Sequence, residues 1–136
     1  RPISKALIIV AASSAMLGPL LKPLDSAQRN ELELSWPGPN TWLVPNRGLY
    51  PDWITGESDE IAIRVTSAPA LALLSYRLGR PVVSTSANPA GAQPARHSFQ
   101  VVRYFGRGLV RAPGVVDLEA SPSTIRRVGT GEVLRA

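Results

Sequence analysis

The chain has 136 residues, 44% of them hydrophobic and 18% charged, a net charge of +5 at pH 7, and no cysteine. That is the size and make-up of one globular domain with its own core, and it excludes a disulfide framework, a cysteine nucleophile and a thiolate metal site. The basic balance favours polyanionic partners such as nucleotides or RNA, although excess charge also serves solubility. The longest apolar run, Ala6 to Ala12, is far too short to span a membrane, and no secretory signal is present, so no membrane partner and a cytoplasmic location are expected.

Ala6 to Ala11 is short, continuous and apolar, and reads as a buried strand. It follows almost directly on Arg1-Pro2, with no methionine, so the chain reads as a fragment whose preceding part is missing. Ser13 is placed to cap a short helix that meets Pro19, and Asp25 or Ser26 to cap another that runs to about Leu34. Trp36-Pro37-Gly38-Pro39 is a rigid turn, and the strand Thr41 to Val44 stops at Pro45. Asn46 to Ser58 reads mostly as loop. Ile61 to Val65 has period two, with Ile61, Ile63 and Val65 on one face and Arg64 on the other.

Pro69 opens the next helix, with Leu71, Leu74 and Leu78 as its apolar stripe and Gly79 as its cap. Val82 to Ser86 is the following strand. Ser98 is expected to cap a helix that buries Val101, Val102 and Phe105 and ends at Gly106, and Ala87 to His97 is the expected mobile loop. Leu109-Val110, Thr124 to Val128 and Val133 to Arg135 read as late short strands. Strands alternating with helices predict an α/β fold on a twisted mixed sheet.

Chemistry concentrates in Pro81 to Gly91, where an apolar strand opens into Ser84, Thr85, Ser86 and Asn88 and breaks at Pro89 and Gly91. Hydroxyls, an amide and free backbone N–H groups at a strand end can donate to phosphate oxygens. The same residues also suit an ordinary turn. Arg64 lies mid-strand among apolar neighbours, where a lone charge is costly; it either points to solvent or holds an anion. Arg1 and Lys5 straddle the first strand's entry as a possible two-cation clamp. His97, the single histidine, reads as an exposed residue before a cap. Trp36, Trp42 and Trp53 suit core or turn packing better than base stacking. Arg126-Arg127 and Arg103 with Arg107 suit a solvated face better than RNA contacts. No Walker loop, dinucleotide fingerprint or protease-like serine–histidine arrangement is present.

Six segments occur in order: Arg1 to Ile9, Trp36 to Thr41, Ile61 to Val65, Ser84 to Asn88, Pro122 to Ile125 and Gly131 to Arg135. Together they resemble the YrdC-like threonylcarbamoyl-AMP synthase family in its short form. The resemblance implies one YrdC-like domain over residues 1–136. It implies a twisted parallel and antiparallel sheet, with helices outside and a basic concave face. It also implies synthesis of L-threonylcarbamoyladenylate and pyrophosphate from L-threonine, bicarbonate and ATP, with Mg²⁺ on the phosphates. Other proteins would then transfer the threonylcarbamoyl group to tRNA. Arg1, Lys5, Ser84, Ser86, Asn88 and Arg135 match ATP-side positions, and Arg64 and Ser123 match threonine-side positions. No protein nucleophile is implied. Members carry about 50 further residues before Arg1, with a Pro-Thr-Glu segment lining the threonine pocket and the lysine of a Lys-x-Arg motif, so this polypeptide by itself is expected to be impaired. The other class of reading is a noncatalytic RNA-binding module that uses the same basic face. A compact cationic cluster, rather than spread cations with stacking aromatics, favours the enzyme.

Overall fold

The computed structural model describes residues 7–56, 58–84 and 123–135. Six strands form one sheet: β1 (Ile8–Ala11), β2 (Asn40–Pro45), β3 (Glu60–Val65), β4 (Val82–Ser84), β5 (Thr124–Arg127) and β6 (Val133–Arg135), in the order β4-β1-β3-β2-β5-β6. The pairs β1/β3 and β2/β5 are parallel, and the remaining three are antiparallel. The expected mixed sheet is therefore present, with β3 near its middle. The helix expected after Ser98, the strand at Leu109-Val110 and the loop Ala87 to His97 lie outside the described residues.

The alternation along β3 sorts the sheet into two faces. Ile61, Ile63 and Val65 join Ile9, Ala11, Trp42 and Val44 in the main core, covered by Leu17, Leu20, Leu21, Leu24, Leu32 and Ile54. On the other face Leu43, Ala62 and Ile125 form a smaller apolar cluster with Ile8 and Leu134 against it. That second face carries Arg64.

The covering layer starts with a 3-10 turn at Ser14–Leu17, followed by α1 (Gly18–Leu21), with Pro19 in its first turn. Ser13 takes the extended N-cap conformation, but its side chain makes no cap bond. In α2 (Ser26–Ser35) the Gln28 N–H donates to Asp25 Oδ1 at 2.8 Å and Asp25 N–H donates to Gln28 Oε1 at 3.3 Å, a reciprocal capping box. Only Leu32 of this helix is buried, which explains the faint apolar periodicity of its sequence.

One expectation holds and one needs correction. Asn46 to Ser58 is mostly loop as expected, broken by the single helical turn α3 (Asp52–Thr55), started after Pro51 and ended at Gly56 with φ 67°. The apolar stripe of α4 (Pro69–Leu78) does not face the core: Leu74 and Leu78 are exposed, and the inner side is Leu71, Ala72 and Ser75. The rotation is set by Ser75, whose Oγ accepts from Ala12 N–H at 3.1 Å and donates to Arg80 O at 2.8 Å. Gly79 caps α4 with φ 69°, as expected of a left-handed cap.

The turn between α2 and β2 is tightly pinned, and it contains a cis Trp36–Pro37 bond. Trp36 Nε1–H donates to Asn40 O at 2.7 Å, Asn40 Nδ2–H to Ser35 O at 3.0 Å, and Trp42 Nε1–H to Ser35 Oγ at 2.9 Å. These bonds fix where β2 begins and so which way Thr41 points.

Truncation at Leu32, fully buried, is expected to cost about 2–5 kcal/mol in Leu32→Ala, whereas Leu34→Ala, at 80% exposure, should stay within about 0.5 kcal/mol of the parent. Urea unfolding of both variants checks which face of α2 holds the fold.

Candidate functional site

Register places the site residues. Val10 lies opposite both Arg64 and Val82, and Ile125 lies opposite both Thr41 and Arg135. Trp42 pairs with Ile63, so one further step along β2 sets Thr41 level with Arg64. A single row thus crosses the second face from Val82 through Val10, Arg64, Thr41 and Ile125 to Arg135. Paired residues of neighbouring strands point the same way, so Arg64, Thr41 and Arg135 all project from this face.

At the β6 end of the row three polar groups lock together. Thr41 Oγ1 and Ser123 Oγ are 2.6 Å apart and buried. Arg135 donates from Nε to Ser123 O at 3.0 Å and from Nη2 to Ser123 Oγ at 3.2 Å. Ser123 stands just before β5, and Thr124 N–H donates to Pro39 O at 3.0 Å, which holds the start of β5 against the pinned turn. Sequence reasoning missed Thr41 as a site residue. Its signal was present: it follows the Pro-Gly-Pro-Asn turn and alternates with the buried Leu43.

Arg64 is half-buried, and its Nε is buried without a hydrogen-bond partner. Burial, and then the like charge of Arg135, hold the Arg64 guanidinium below its ordinary value. Burial does the same to Arg135. Both stay charged at neutral pH, because an arginine starts so far above it. Nothing among the described residues neutralises Arg64. Glu60 is on the same face, but four residues along β3 it is about 13 Å away, beyond a Debye length of about 10 Å.

The other arginines behave differently. Arg127 donates from Nε to both Glu60 carboxylate oxygens, at 3.0 and 2.9 Å, and also pairs with Glu132. Those contacts push its guanidinium up. Arg126 lies over the Trp42 ring, 5.9 Å from its centroid. So Arg126 and Arg127, expected on a solvated face, are both engaged. Trp36 and Trp42 pack as expected, whereas Trp53 is 69% exposed.

Among the expected site residues, Arg64, Ser123 and Arg135 come together on one face. Ser84 projects from that face too, level with Ile8, but on the edge strand β4. Arg135 is on the opposite edge strand β6, five strand spacings or about 24 Å away across a flat sheet. Ser84 and Arg135 therefore flank Arg64 from opposite sides. Arg1, Lys5, Ser86 and Asn88 lie outside the described residues. The described cluster offers two desolvated guanidiniums and two hydroxyls, which suits carboxylate or phosphate oxygens. Among the described residues no three His, Cys, Asp or Glu side chains come together to hold a metal ion. A separate cleft of about 670 Å³ runs between residues 45–52 and 58–59 and is lined by Arg47, Asp52 and Asp59.

The family model described as "Telomere recombination", for Sua5, YciO and YrdC, matches residues 1–136. The chain is 48% identical over 136 residues to the threonylcarbamoyl-AMP synthase of Cellvibrio japonicus (strain Ueda107), covering 99% of this chain and 72% of that one. It is 47% identical over 136 residues to the threonylcarbamoyl-AMP synthase of Nitrosococcus oceani, covering 99% and 74%. Its fold is similar to the crystal structure of P. abyssi Sua5 complexed with L-threonine, with a TM-score of 0.77 and 28% identity. That match covers 94% of this chain, which spans 38% of that longer one.

In the ligand-free chain, Arg64→Met is expected to raise stability by about 1 kcal/mol, because it removes a buried N–H with no acceptor and a repelled charge. Thermal unfolding checks this; a loss of stability would show that Arg64 is already paired.

Proposed function

This chain belongs to the Sua5/YciO/YrdC family, and we propose that it is the synthase domain that makes L-threonylcarbamoyladenylate and pyrophosphate from L-threonine, bicarbonate and ATP. Relatives at 47 and 48% identity carry the name of that activity. The observation in this chain that supports it is Arg64, with a buried Nε that lacks an acceptor. A carboxylate laid against that guanidinium supplies an acceptor, and a countercharge that the described residues do not provide, in one contact.

On this reading Arg64 holds the threonine carboxylate, and Ser123 lies beside the same substrate. Ser84, Ser86 and Asn88 serve the nucleotide from the β4 side, with Arg1 and Lys5 at the entry to β1. Arg135 is bonded to Ser123 on the side of Arg64 opposite Ser84, so its charge lies beside the threonine end of the site. The barrier is the approach of three anionic reactants to one another. Fixed cations and hydroxyl donors lower it by screening and by holding reacting groups in place, with no covalent step on the protein. Magnesium would arrive with the triphosphate oxygens; among the described residues no three His, Cys, Asp or Glu side chains come together to hold it.

Residues 1–136 work as one domain in this account, in the cytoplasm, and the adenylate passes to proteins that transfer its threonylcarbamoyl group to tRNA. The RNA-binding alternative draws less support. Arg126 and Arg127 are already held by Trp42, Glu60 and Glu132 and are not free for a phosphate backbone.

Arg64→Ala is expected to weaken threonine binding by about 2–3 kcal/mol, roughly a hundredfold, and ATP binding by much less. Calorimetric titration of the two ligands separately decides it. Equal losses for both would remove the carboxylate assignment.

A further inference from the structure

The trio Thr41, Ser123 and Arg135 holds two hydroxyl protons and a single hydroxyl–hydroxyl bond, which can use only one of them. A guanidinium only donates, so the bond from Arg135 Nη2 to Ser123 Oγ has a fixed direction. The bond between Thr41 Oγ1 and Ser123 Oγ, at 2.6 Å, uses one hydroxyl proton and leaves the other without a partner in the trio. Thr41 is 1% exposed, and its side chain has no other hydrogen-bond partner among the described residues. Were Ser123 the donor, the Thr41 proton would be stranded in the interior, a costly outcome. If Thr41 donates instead, the free proton belongs to Ser123, at 6% exposure the less deeply buried of the two, beside Arg135 and on the Arg64 face.

We propose that Thr41 is a positioning residue: its buried hydroxyl donates to Ser123 and thereby commits the Ser123 proton to an anionic oxygen bound on the Arg64 face. Hydrogen bonds that run in one direction polarise each other, so the chain from Thr41 through Ser123 to a negative oxygen strengthens along its length. Ser123 then accepts twice, from Thr41 and Arg135, and has one remaining use, as a donor. A valine at position 41 keeps the branched shape and loses this control, so the Ser123 hydroxyl can rotate away. The proposal rests on the reading of this face as the threonine site only for the identity of the ligand.

The test is a double-mutant cycle on the full 136-residue chain. Parent, Thr41→Val, Thr41→Ser, Ser123→Ala and the Thr41→Val/Ser123→Ala pair are titrated with L-threonine and, separately, with ATP. Thr41→Val should weaken threonine binding about tenfold, and ATP binding by less than about twofold. Thr41→Ser should restore threonine binding to within about twofold of the parent. The paired variant should bind no more weakly than Ser123→Ala alone, because Thr41 acts only through Ser123. Additive losses in the pair, or threonine binding by Thr41→Val within about twofold of the parent, would overturn the proposal. If the parent takes up no threonine, the substrate assignment fails, and the same cycle is run with acetate as a bare carboxylate. The same pattern with acetate upholds the role of Thr41, and an absence of acetate binding by the parent rejects it.

Discussion

An arginine charge held inside a sheet face without a countercharge among the described residues is the constraint on which this structure turns. Arg64 sits on β3, and its neighbours Ile61, Ile63 and Val65 bury in the main core. Strand alternation then leaves Arg64 no choice but the second face. There it meets Val10 in register and, through Arg135, a second cation instead of an acid. The large core on one side stabilises the sheet enough to carry this unfavourable arrangement on the other. The described part of the molecule is thus divided: one face folds, and the other carries a charge that no described residue offsets.

The same face shows what a compensated charge looks like. At its far end Arg127 is bonded to Glu60 and Glu132, and its guanidinium is pushed up rather than down. Two arginines on one sheet face therefore differ in kind. Arg127 is neutralised by Glu60 and Glu132, whereas Arg64 meets no acid among the described residues. This contrast distinguishes the two cations where net charge does not, since both contribute equally to the total of +5.

Much of this was legible in the sequence wherever the cause was local. The period of two from Ile61 to Val65, the Asp25 cap and the left-handed Gly79 each depend on residues a few positions apart. What the sequence hid depends on distant partners. The inner side of α4 is chosen by Ser75 reaching Ala12, 63 positions away, which no helical periodicity can register. The Thr41–Ser123 pair spans 82 positions and the Arg127–Glu60 pair 67. The single turn of α3 is too short to produce a period, and Pro51 disguises it as loop. Arg64 was flagged by its place mid-strand among apolar neighbours and by the family resemblance, but its surroundings, with Arg135 and no acid among the described residues, became visible only in the structure. The motif order carried the family, while the spatial split between Ser84 and Arg135 had no counterpart in it.

The central claim is that Arg64 is completed by the carboxylate of the amino-acid substrate. A crystal structure of the chain with bound L-threonine tests it most directly. The account predicts a carboxylate oxygen at about 2.7–3.2 Å from the Arg64 guanidinium, on the face shared with Ser123 and Arg135. Threonine bound elsewhere, with Arg64 still without an acceptor, would contradict it.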